Sequence, residues 1–177
     1  MYARENVESY LKDLYDCVLN QSKKVKDYKV WFDLAEKKAQ IDVMAVEHNV
    51  EIDTSELNRI FCAYAMKYFG KLSSEINLKS PVLVSNAMDY IHDHSEKAAI
   101  IVMDGMSEFD WTILKRSFTG ICYCQSAAFA MITSTTSISR QCLLSGKYPS
   151  QLIEPWKQSK EKNEFYECAR KYGYKDN

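Results

Sequence analysis

The chain has 177 residues, enough for one domain or one domain with a small helical appendage. It is 46% hydrophobic and 27% charged, which argues against disorder. Its 23 basic and 24 acidic residues nearly cancel, so net charge predicts neither a nucleic-acid nor a membrane surface.

No apolar run reaches the roughly 18 residues of a membrane span. The start, MYARENVESYLKD, lacks the apolar core of an export signal. A cytoplasmic protein is therefore expected. The cysteines at 17, 62, 122, 124, 142 and 168 form no CxxC pair and read as free thiols. Cys122 and Cys124 would share one face of a strand, which suggests core packing.

Residues 1–79 read as helical. Val7, Tyr10, Leu11, Leu14, Tyr15, Val18 and Leu19 repeat with helical spacing. A second helix is expected over about Asp27 to Glu47, with a less regular stripe through Tyr28, Trp31, Phe32 and Ala35. In a third, Leu57, Ile60, Phe61, Tyr64, Ala65 and Tyr68 line one face. Asp53 and Glu56 resemble a capping box, and Gly70 is the expected stop. A fourth begins at SPVLVSNAMDYIHDH, with Ser80 as cap and Pro81 in the first turn.

The pattern then changes. KAAIIVMDG (97–105) is a short apolar run closed by Asp104 and Gly105, and reads as a strand buried on both faces. SEFDWTILKRSF (107–118) reads as a helix capped by Ser107, with Asp110 three positions on. Trp111, Leu114 and Phe118 would face inward. Trp111 would be a core anchor worth about 3–5 kcal/mol if fully buried. GICYCQSAAFAMIT (120–133) reads as a second strand. A helix starts within TSTTSISR and ends near Gly146, and a last one spans 161–174 with Gly173 as its stop. Such alternation implies an α/β fold: a helical N-terminal half, then the start of a parallel sheet with crossover helices.

Two places can carry chemistry. Asp104 lies where the first strand ends, the usual ligand side of an open α/β sheet. It is either a cation-binding carboxylate or an ordinary turn aspartate. The hydroxyl run 133–137 precedes a helix whose free N–H groups and dipole favour anions. Its members are either helix caps or include a nucleophile. Arg140, one turn after Thr136, either meets phosphate oxygens or makes a local ion pair.

Taken together, AAIIVMDGMSEFDW and, about thirty residues on, ITSTTSISRQCLLSGKYP resemble the opening of the PglZ domain. That family belongs to the alkaline phosphatase superfamily. The resemblance covers about residues 80–172, so that 80–177 reads as the N-terminal part of a PglZ-like domain. Its specific parts are 98–106 and 132–149. SRQCLLSGKYP is also similar to the stretch after the sulfatase nucleophile, which lies four residues before the arginine. The resemblance implies Asp104 as a metal ligand and Thr136 as metal-bound nucleophile, with Thr135 the adjacent alternative and Arg140 beside them. It further implies two divalent ions, usually zinc, a phosphate-ester substrate, and for some members partners in BREX-type bacterial phage defence. The remaining family ligands are aspartates and histidines further downstream. After Thr136 this chain has no histidine, and its one later aspartate is Asp176. His48, His92 and His94 precede the first expected strand. The expectation is a phosphohydrolase part that is inactive by itself. The other class of reading is a non-catalytic helical module that binds a protein partner. The basic residues of 157–175 are interleaved with acids, which argues against direct nucleic-acid binding.

Overall fold

The computed structural model describes residues 4–77 and 79–174. Its elements are α1 (Arg4–Ser22), α2 (Val30–Glu47), α3 (Ser55–Leu72), α4 (Ala87–His94), α5 (Glu108–Leu114), α6 (Thr136–Ser145) and α7 (Glu161–Lys171), joined by loops and short 3-10 turns. Among the described residues there is no β-strand, so the fold is all-α and the expected α/β sheet is overturned. No described helix is long and apolar enough to cross a membrane.

The reason lies in the backbone. An apolar run becomes a strand only if its N–H and C=O groups meet another run in register. Residues 98–103 and 121–128 are unassigned to any helix or ladder. Ile101 is 87% exposed, and Met103, Ile121, Tyr123, Cys122 and Cys124 are exposed too. The two thiols read as strand-core residues thus lie at the surface. Strand-like pairing among the described residues is one parallel bridge between Leu83 and Phe129. Phe129 donates its N–H to the Val82 carbonyl at 2.9 Å, and Val84 donates to the Phe129 carbonyl at 2.9 Å. That bridge also moves the start of the fourth helix. Leu83 is held extended at φ −114°, ψ 155°, so Ser80 and Pro81 do not open a helix. A 3-10 turn at Val84–Asn86 intervenes, and α4 starts at Ala87.

The chain forms two compact units, Met1–Phe69 with Met106–Tyr123, and Gly70–Gly105 with Cys124–Asn177. In the first, α2 packs against both α1 and α5. It therefore buries residues on more than one side, among them Trp31, Leu34, Ile41 and Val43. This explains why its stripe is irregular in sequence. α1 buries Val7, Leu11, Val18 and Leu19 of its expected stripe, leaves Leu14 and Tyr15 half-buried and exposes Tyr10. Trp31 meets Phe61 edge-on at 5.1 Å. Asp53 accepts the Ser55 N–H at 2.9 Å, while Glu56 pairs with Lys23 at 3.1 Å instead of closing a box. α3 runs two residues beyond Gly70.

The capping box of α5 does form. The Asp110 N–H donates to the Ser107 hydroxyl at 3.1 Å, and the Ser107 N–H donates to the Asp110 carboxylate at 3.0 Å. The Ser107 hydroxyl and N–H hold that carboxyl below its usual value. Lys115 and Arg116 then tie this helix end to Glu36 and Glu47 of α2. Trp111, Leu114 and Phe118 are only half-buried. Trp111 stacks edge-on with Phe118 at 5.6 Å and Tyr123 at 6.2 Å.

Half-burial lowers the expected cost of losing Trp111. Trp111→Ala should cost about 2 kcal/mol, and Leu11→Ala, at a fully buried site, about 3 kcal/mol. Urea denaturation ranks the two, and a larger loss at 111 than at 11 contradicts this packing.

Candidate functional site

The second unit holds every residue singled out for chemistry. α6 opens at Thr136 after Thr135, which sits in extended geometry at φ −67°, ψ 139°. The Thr135 carbonyl accepts the N–H groups of Ile138 at 3.1 Å and Ser139 at 2.9 Å. Its hydroxyl makes no capping hydrogen bond. The hydroxyl run thus sits at the cap without acting as one through Thr135, and residues 133–136 are exposed. The opposite face of α6 buries Ile138, Gln141, Cys142 and Ser145. The helix stops at Gly146, whose φ of 70° lies in the left-handed region that disfavours a side chain.

One turn after Thr136, Arg140 meets two carboxylates. Its Nη2 lies 2.6 Å from Glu161 Oε1 and its Nη1 lies 3.5 Å from Asp104 Oδ2. Both pairs strengthen its hold on the proton, Glu161 foremost. Residues four apart on a helix have Cβ atoms about 5–6 Å apart. Asp104 is thereby brought to the Arg140 turn of α6, the turn that follows Thr136. Sequence reasoning missed Glu161. Its signal was weak, because an acid in the first turn of a helix is already favoured by the dipole.

The neighbouring residue, Gln141, is fully buried. Its side-chain amide donates to the carbonyls of Ser137 and Pro155, each at 3.0 Å, and lies 3.4 Å from that of Glu154. It clamps the 154–157 loop to α6. At the other end of α6, Lys147 reaches Glu164 at 2.5 Å and Glu167 at 3.2 Å. Between these clamps Cys142 and Cys168 are buried, and burial pushes the Cys142 thiol up to about 11.

The donors among the described residues do not fit a two-metal centre. Among the described residues no group of three His, Cys, Asp or Glu is placed to hold an ion. Asp104 faces a guanidinium, a cation already in the place where a metal ligand would need one. His92 stacks on Tyr172 at 4.5 Å. His94 stacks on Tyr90 and holds the Tyr90 carbonyl at 2.8 Å. Asp176 lies outside the described residues. The arrangement can attract an oxyanion to exposed hydroxyls, a helix N-terminus and a partly shared guanidinium. Compared with protein-family models, curated proteins and solved structures, the chain has no match.

Gln141→Leu keeps most of the volume and removes the clamp. The loop carbonyls then lose their donor inside the unit, which should cost about 1–3 kcal/mol. An unchanged denaturation midpoint would show that the amide does not hold the loop.

Proposed function

We propose that this chain is part of a PglZ-type phosphohydrolase of the cytoplasm, with Thr136 at the nucleophile position, and that it does not turn over substrate by itself. One observation carries the reading. Thr136 opens α6, Arg140 follows one turn later, and Asp104 lies against Arg140 at 3.5 Å. The contact between Arg140 and Asp104 joins the two motif segments and supports the reading. Phosphate is the anion best served there, because the dipole and a planar guanidinium both favour its oxygens.

The same arrangement limits chemistry. A threonine hydroxyl is a weak nucleophile until a base or a metal weakens its hold on the proton. Asp104 and Glu161 are both engaged by Arg140, and the donor set does not fit a pair of zinc ions. Zinc affinity of this chain should be weak, since few protein ligands converge. A role among bacterial phage-defence proteins rests on the family resemblance alone.

A non-catalytic helical module that docks a protein partner is the second reading. It is favoured by large apolar side chains in solvent, with Ile101 and Ile153 each 87% exposed and Trp156 71% exposed.

Hydrolysis of an aryl phosphomonoester and an aryl phosphodiester, with zinc or manganese added, separates inactive from active chain. The expected result is no turnover above buffer for wild type or Thr136→Ala. Turnover lost in Thr136→Ala would overturn inactivity and support the nucleophile. Turnover that survives Thr136→Ala but not Thr135→Ala would move the nucleophile one residue.

A further inference from the structure

Two clefts of the second unit share helix α4. The first, of about 220 Å³, lies between α4, α7 and the 98–100 segment, and Met88, Ile91, Ile100, Phe165 and Ala169 make it apolar. It is larger than the ~150 Å³ cavity that takes one benzene, so an indole, one ring larger, can enter it. The second, of about 250 Å³, is acidic, with Asp89 and Asp93 of α4 and Glu75 in its lining. Glu75 and Asp93 are exposed, while Asp89 lies 3.8 Å from Lys171. By helical spacing Met88, Ile91 and His92 share one face of α4, and Asp89, Tyr90 and Asp93 the opposite one. A surface that meets α4 on both sides thus finds an apolar hole on one and carboxylates on the other.

The same unit carries the complement. Trp156 is 71% exposed, so it does not fill the cleft of its own chain. It sits third in a tight turn closed by the Lys157 N–H, which donates to the Glu154 carbonyl at 2.9 Å. The buried Gln141 amide holds the Pro155 carbonyl of that turn at 3.0 Å, so the indole is displayed from a fixed backbone. A tryptophan shown in this way has little backbone freedom left to lose on docking. Beside it Lys157 and Lys160 share the single Glu154 carboxylate, at 3.1 and 2.9 Å, which leaves the turn cationic. An apolar knob with adjoining cations therefore matches an apolar cleft with adjoining carboxylates.

We propose that copies of this chain associate through that match: Trp156 of one copy enters the cleft between α4 and α7 of a second, while Lys157 and Lys160 reach Glu75 and Asp93 of the second copy. Each copy carries one knob and one cleft, so the contact joins unlike surfaces. It uses none of the residues assigned to chemistry and does not depend on the hydrolase reading.

Analytical ultracentrifugation of the full chain over roughly 10–500 μM covers the weak affinities of a small contact. Wild type should sediment faster as concentration rises. Trp156→Ala lacks the knob, and Ala169→Leu fills the cleft from α7 with a good helix former. Each should stay monomeric, with a denaturation midpoint near that of wild type. Mixed in equal amounts they should form a one-to-one complex, since the cleft survives on one and the knob on the other. A folding defect in either would prevent that complex. Glu75→Gln combined with Asp93→Asn should weaken association about three- to tenfold, the range of two exposed ion pairs. A wild type that stays monomeric would leave Trp156 to a different protein or surface and overturn the assignment. Association that survives Trp156→Ala, a mixture that stays monomeric, or undiminished affinity without the two carboxylates would each overturn it as well.

Discussion

A guanidinium stays charged at any pH the protein meets, so a half-buried arginine needs a fixed anionic surrounding. Arg140 finds it in Glu161, the first residue of α7, and in Asp104, in the turn before the 106–123 segment. Two stretches far apart in sequence are thereby tied to one turn of α6. Gln141, the next residue, ties a third by its amide. The organisation of the second unit follows from these adjacent side chains, because each leaves buried polar groups unmatched if its partner moves.

The same ion pair shapes what the helix end can do. An oxyanion arriving at Thr135 and Thr136 meets N–H groups and exposed hydroxyls, but also the negative charge of Asp104. It must share Arg140 with two carboxylates that are already in contact. Binding of phosphate by displacement of Asp104, the longer and more exposed of the two partners at 3.5 Å, is electrostatically easier than displacement of Glu161 at 2.6 Å.

Local signals were legible where they are local in physics. The α1 stripe apart from the exposed Tyr10, the Ser107–Asp110 box and the Gly146 stop follow from residues within a few positions of each other. The sheet was misread because a run such as AAIIVM states only that its side chains are apolar. Whether a second run lies alongside to complete the ladder is a long-range fact. Here 98–103 stays unpaired and Ile101 faces solvent. The start of α4 was misplaced for the converse reason, since a distant residue, Phe129, holds 82–84 extended. At the candidate site, Asp104, Thr136 and Arg140 stand out in the sequence by residue type and position. Glu161 and Gln141 were not, because their roles depend on how α7 and its preceding loop return to α6.

A double-mutant cycle tests the central claim most directly. Stability is measured for Arg140→Ala, Glu161→Ala, Asp104→Ala and the two doubles that contain Arg140→Ala. If one guanidinium joins both carboxylates, each double loses less than the sum of its singles, and the coupling is larger with Glu161 than with Asp104. Strictly additive losses for both pairs would contradict the account, for they would mean that Arg140 is not what holds Asp104 and α7 at the start of α6.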